Sequence, residues 1–173
     1  MASWTAPEIH RTEASHDGDE LPSLREFLQW HRDTLVSKCS GLTGEQLMLK
    51  AVPTSQLTLL GLVRHLAEVE RGWFRRSFGQ DKELGGLYCT DEHEDGDFDL
   101  AAADGAEADF ATYFREVELA DAVAAGRSLD DTFPGRKGDY TLRFVFLHMI
   151  EEYARHNGHA DLLRESVDGA TGE

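Results

Sequence analysis

The stretch "EEYARHNGHADLLRE", residues 151–165, decides how this chain is read. Its apolar residues have helical spacing, yet it also carries two histidines, several carboxylates and a glycine. Joined to "TLRFVFLHMI" before it, the spacing predicts one long helix from about Thr141 to Glu165. At about 100° per residue with Val145 as origin, Met149, Ala160 and Leu163 form the buried stripe, within about 60° of it. Glu152 and His156 fall inside that stripe, about 20° from its centre, while Glu151 faces away. His148 and His159 sit on its shoulder. An ionised carboxylate among apolar side chains must be paired, hold a cation or take up a proton. Residues at i and i+4 lie side by side on a helix, so Glu152 and His156 can share one ion. A buried hydrogen-bonded pair, or a core ion pair of Glu152 without any metal, is the alternative.

The third ligand has to come from another helix. "LLGLVRHLAEVERGWFRRSF", residues 59–78, follows the capping residue Thr58 and places Leu62, Leu66, Val69 and Trp73 on one stripe. His65 stands at the edge of that stripe. Two histidines and one carboxylate with open positions make the donor set of a catalytic metal centre. His65 alone would also suit a hydrogen-bonded core position. His31, at the edge of another stripe, reads as a core histidine. His159 reads as a fourth ligand or as a group orienting the others. Gly158 weakens the helix and is explained either by a close approach there or by nothing.

The remaining punctuation completes the architecture. Ser23 with Glu26 has capping-box spacing, and Leu24, Phe27, Leu28 and Leu35 continue a first helix up to Gly41. Thr43 with Gln46 opens a short helix that ends before Pro53. A further helix runs from about Ala106 to Ala125, with Gly126 at its C-terminal cap. "SLDDTFPGRKGDY", residues 128–140, reads as a turn-rich connection, and no strand is expected. Four long amphipathic helices predict an all-α fold, a four-helix bundle with its site built from inward-facing side chains. Residues 1–20 read as a flexible or surface-lying arm, and 21–170 as a single domain.

The bulk numbers exclude some partners. The chain of 173 residues has 33 acidic against 17 basic residues and a net charge of −16. A nucleic-acid or anionic-membrane partner needs the opposite balance, so neither is expected. The first residues lack the apolar run of a secretory leader, and no run is long enough to span a bilayer, so cytoplasm is the expected compartment. Cys39 and Cys89 are far apart without a CxxC spacing and read as inert thiols. There is no HExxH. The acidic loop "DEHEDGDFDLAA", residues 91–102, departs from a calcium loop at His93 and Ala102 and reads as solvated. The di-iron pattern requires Glu-x-x-His on two helices, whereas Glu152 and His156 are four apart. Arg64, Arg71, Arg75 and Arg76 read mainly as a solvated helix face, or else as a cluster meeting a substrate carboxylate.

The segments "LTLLGLVRHLAEVERGWF" (57–74), "YCTDEHEDGDFD" (88–99) and "FLHMIEEYARHNGHADLLRE" (146–165) resemble the DinB-like superfamily of four-helix bundles, and most closely an actinobacterial, mini-circle-type branch. The resemblance covers most of residues 21–170. It implies a bundle that often dimerises and holds a divalent metal through one His on the second helix and an i, i+4 pair on the last. The common pair is His and His, from which Glu152 departs. The mycothiol-dependent maleylpyruvate isomerases are similar bundles with a His, Glu, His set that matches His65, Glu152 and His156. The bacillithiol transferases, also similar, move a small thiol onto a substrate.

The expectation is therefore a metal-dependent thiol transferase or isomerase acting on a small electrophile. Zinc is the first-named metal, with nickel or iron as alternatives, mycothiol is the thiol cosubstrate, and His159 and His148 are the candidate proton carriers. A non-catalytic metal-binding stress or interaction protein, perhaps a homodimer, is the competing expectation.

Overall fold

The computed structural model describes residues 4–172. In chain order it contains α1 (Glu20–Cys39), α2 (Gly44–Leu47), α3 (Leu59–Glu70), a π-helical segment (Arg71–Phe78), α4 (Gly96–Asp99) and a 3-10 turn (Ala103–Gly105). Then come α5 (Ala106–Ala124), β1 (Thr132–Gly135), β2 (Gly138–Thr141) and α6 (Leu142–Asp168). The protein is mostly helical with one small two-stranded sheet. No helix among the described residues is long and apolar enough to cross a membrane.

Local chemistry explains most of the element ends. Thr43 and Gln46 form a reciprocal capping box on α2. Thr58 accepts from Gly61 N and opens α3, and Thr141 accepts from Phe144 N and opens α6. Gly126 and Gly169 take positive φ just beyond α5 and α6, where a side chain would be strained. One expected cap is absent. Ser23 lies inside α1, which begins at Glu20; its hydroxyl donates to Gly18 O, and Glu26 accepts from Ser15 N instead. The chain turns into the helix earlier than the spacing implied because Glu20 and Leu21 already fit its first turn.

α1 packs mainly on α6 and α3 mainly on α5, with α3 also meeting α1 and α6. Leu28, Leu35, Leu62, Leu66, Tyr113 and Met149 meet in a fully buried core. At the start of the described chain, Trp4 packs on Phe110 at 5.5 Å and Ala6 exchanges backbone hydrogen bonds with Leu42 and Gly41. That part of residues 1–20 lies pinned on the helices.

The core also contains an ionic junction. The Arg32 guanidinium donates to both oxygens of Glu70 at 2.7 Å, and a third nitrogen reaches Asp121 at 2.8 Å. Tyr153 donates to Glu70 Oε1 at 2.9 Å and lies 3.1 Å from the Tyr113 hydroxyl. Burial opposes the Arg32 charge, but the Glu70 carboxylate outweighs it and holds the group protonated far above its ordinary range. These five side chains come from α1, α3, α5 and α6, so one polar cluster fixes how these helices face one another.

Two departures from the expected all-α fold bear on the site. Residues 132–141 form an antiparallel hairpin rather than an irregular connection. Its two strands are four residues each, too short for alternation to be read, and the pattern is interrupted by Pro134, Gly135 and Gly138. Phe133 is buried against Phe78, and the Arg136–Lys137 turn projects outward. The second departure is the π-helical continuation of α3, in which Gly79 N donates to Phe74 O at 2.8 Å. Such wider turns concentrate at functional sites.

Gly158 is exposed on α6, and a Cβ there would meet nothing within 4 Å. No close approach accounts for it. Gly158→Ala is expected to stabilise the protein by roughly 1 kcal/mol, read as a raised urea midpoint with an unchanged slope.

Candidate functional site

α3 and α6 bring His65, Glu152 and His156 together, each offering a ligand atom, with those atoms within 4.8 Å of one another. The His65 and His156 rings are 4.7 Å apart, and His156 Nε2 is 3.4 Å from Glu152 Oε2. All three are half-buried at the edge of the core, 25%, 16% and 12% exposed in the order His65, Glu152, His156. They are withdrawn from bulk water yet reachable. Burial, together with the neighbouring His65, His159 and Arg155, pushes His156 down to about 4. It is therefore a neutral imidazole with a free lone pair at neutral pH.

His65 is held by a residue of the acidic loop 91–102, which was expected to be solvated. The His65 Nδ1 lies 2.8 Å from Asp97 Oδ2, so its Nδ1–H donates to the carboxylate and Nε2 is the free ring nitrogen. Asp97 is buried. Burial pushes its carboxyl up, but the His65 contacts outweigh this and hold it below the usual carboxylate range.

Arg64 explains how an acidic loop came to be buried there. Its guanidinium donates to Asp97 O at 2.8 Å and Gly96 O at 2.9 Å, pairs with Asp109, and lies 3.8 Å from the centre of the Tyr88 ring. Glu68 Oε2 also accepts from the backbone of Leu87 and Tyr88. α3 thus clamps residues 87–97 against its own surface.

The expected solvated face of arginines is corrected accordingly. Arg64 is buried, and Arg71 and Arg75 both pair with Glu116, which is 4% exposed. Together they hold α3 and the π-helical segment to α5, and of the four only Arg76 is exposed. Nothing in the local sequence separates a structural arginine from a solvated one, since the partner acids are 41 and 45 residues away.

The two further histidines flank the group. His159 Nδ1 lies 3.3 Å from His156 Nδ1, and His148 Nε2 lies 3.6 Å from Glu152 Oε1. Glu151 points outward and pairs with Arg155. His31 is elsewhere: its backbone oxygen and ring accept from Asn157, which ties α1 to α6.

A 490 Å³ cavity opens on the His65 side, lined among others by Glu68, Trp73, Arg76, Cys89, Asp97 and Phe98. Burial raises the Cys89 thiol, so it stands in this cavity protonated, a weak nucleophile. Cys39 is fully buried and pushed up to about 12.

No curated protein matches the chain. The model of one protein family does, described as Mycothiol-S-transferase, over residues 23–169. The match takes in α3, α5, α6 and all of α1 but its first three residues, with the clamped loop and every residue of the His65–Glu152–His156 group. This chain belongs to the mycothiol S-transferase family, a DinB-like family.

Proposed function

We propose that the protein is a DinB-like four-helix bundle that binds a divalent metal through His65, Glu152 and His156 and transfers mycothiol to a small electrophile. The observation that carries the reading is the convergence of these three side chains from two helices, with the ring tautomer of His65 fixed by Asp97. Zinc ligands sit about 2.0–2.2 Å from the ion. Three donor atoms already within 4.8 Å of one another can close on it with small side-chain movements. Two imidazoles and a carboxylate suit zinc first, with nickel or iron also compatible.

A divalent ion held by His65, Glu152 and His156 would favour the deprotonated form of a thiol brought to it. The chain's own residues do the rest. His148 and His159, each beside a member of the group, are placed to take the thiol proton and to pass it to solvent. The sulfur electron pair forms the new bond to the electrophilic carbon, and the leaving group departs with its own pair. Trp73 and Phe98 wall the cavity and limit water at the reacting sulfur.

The test is an assay of mycothiol transfer to a chromogenic aryl chloride by zinc-loaded protein. Wild type is expected to release chloride and form the thioether in proportion to bound metal. Asp97→Asn is expected to retain the fold and lose about 10–100-fold in metal affinity, as orienting residues typically do. Full metal loading without any mycothiol adduct would defeat the transferase reading and leave a metal-binding protein.

A further inference from the structure

A second cavity, of 590 Å³, shares Trp73, Arg76 and Ser77 with the cavity beside His65. It lies between the π-helical segment and the β1–β2 hairpin. Four cationic side chains line it, Arg76, Lys82, Arg136 and Lys137, and no carboxylate does. This is unusual in a chain of net charge −16. Most basic side chains of the protein are paired with carboxylates. These four are exposed and form no ion pair among the described residues. With so many acids available, cations left unpaired around one concavity make a positive pocket in a negative molecule, which concentrates anions locally.

An aromatic path joins this pocket to the metal-ligand group. Tyr140, which lines the pocket, stacks on Phe144 at 4.9 Å and 17°, and Phe144 stacks on His148 at 5.8 Å and 5°. Trp73 borders the whole row, 6.2 Å from Tyr140, 5.8 Å from Phe144 and 4.5 Å from His148. His148 in turn stands against Glu152. Phe144 is 40% exposed, so one side of its ring stays open to solvent. The hairpin that the sequence hid is what supplies Tyr140, Arg136 and Lys137 to this arrangement.

We infer that this pocket binds the carboxylate of an electrophilic substrate whose apolar body lies along Tyr140, Phe144 and Trp73, so that its reactive carbon reaches the His65–Glu152–His156 group. The inference rests on the transferase reading for the reaction, but the binding of the carboxylate does not need the reaction. The opposite ends of the groove divide the labour by charge. Glu94, Asp95 and Asp97 line the His65 cavity and repel an anion there, while the hairpin end attracts it. An anionic substrate is thereby oriented before it reacts.

The experiment uses zinc-loaded, full-length protein and two pairs of compounds. The first pair is inert: 3-phenylpropionate and its neutral amide, with binding followed by ligand-observed NMR. The second pair is reactive: an aryl chloride bearing a carboxylate and its methyl ester, with mycothiol as the thiol. The variant is Arg136→Gln with Lys137→Gln, both on the exposed turn and remote from the core.

Wild type is expected to bind the acid about tenfold more tightly than the amide, as for a charge-assisted pair at a partly exposed site. The variant is expected to lose that preference, and kcat/KM for the carboxylate substrate is expected to fall about tenfold with the ester unchanged. Raising salt from 50 to 500 mM should weaken the acid alone, since exposed charges are screened at about 10 Å in 0.1 M salt. Equal binding of acid and amide by wild type, or an equal loss of both substrates in the variant, would overturn the inference. Preferential binding of the acid with no thioether from either chloride would defeat the transferase reading and leave the anion pocket standing.

Discussion

Glu70→Ala is expected to destabilise the protein by about 3–5 kcal/mol, the usual consequence of removing one partner from a buried ion pair. Arg32 would keep its charge at 3% exposure with only Asp121, itself half open to water, to answer it. The Tyr153 hydroxyl would lose its 2.9 Å acceptor as well. Single domains are stable by only about 5–15 kcal/mol, so the variant would retain a small margin at best. Urea unfolding of metal-free protein measures the effect. Arg32→Met combined with Glu70→Leu is expected to recover most of the loss, because an apolar pair of similar volume carries no desolvation cost. A loss below about 1 kcal/mol for Glu70→Ala would mean that water reaches the junction, against the full burial of Glu70.

His156→Ala is expected to lower zinc affinity by more than about a hundredfold, exceeding the loss seen when a merely orienting residue is removed. The side chain sits at the rim of the core, packs on the His65 ring and pairs only within its own helix among the described residues, so metal-free stability should change far less than for Glu70→Ala. Two readouts separate the effects. Elemental analysis should find zinc in the wild type and none in the variant. Added zinc should raise the melting temperature of the wild type only, since a ligand of the native state stabilises by mass action. Wild-type protein that carries no ion after growth with zinc, nickel or iron would be incompatible with the proposed centre.

The helices were legible because their signals are local. Thr43, Thr58 and Thr141 each sit next to the turn that they cap, and Gly126 next to the one that it ends. The inward placement of Glu152 and the outward placement of Glu151 followed from helical rotation alone, and the structure places both as expected. What stayed hidden depends on partners far along the chain. Asp97 is 32 residues from His65, and only the Arg64 clamp turns its acidic loop into a buried support. Arg32 and Glu70 stand on separate helices, 38 residues apart. Two charged residues near apolar stripes were the available signal, but pairing them requires knowing which stripes meet. The hairpin was missed because four-residue strands broken by Pro and Gly lack readable alternation.

The π-helical run Arg71–Phe78 sets a limit on deletions in this helix. A π turn closes its hydrogen bond one residue later than an α turn. It therefore accommodates a surplus residue while the flanking helix keeps its line. Deleting one residue here would let the segment tighten into α-helix and swing the side chains on one side of the cut by about 100° relative to the other. Trp73 would then leave the Tyr140–Phe144–His148 row, or Phe78 would leave the hairpin, while Leu62 and Leu66 stayed packed. The surplus residue thus acts as a spacer that turns Trp73 toward the Tyr140–Phe144–His148 row while Leu62 and Leu66 stay with the core.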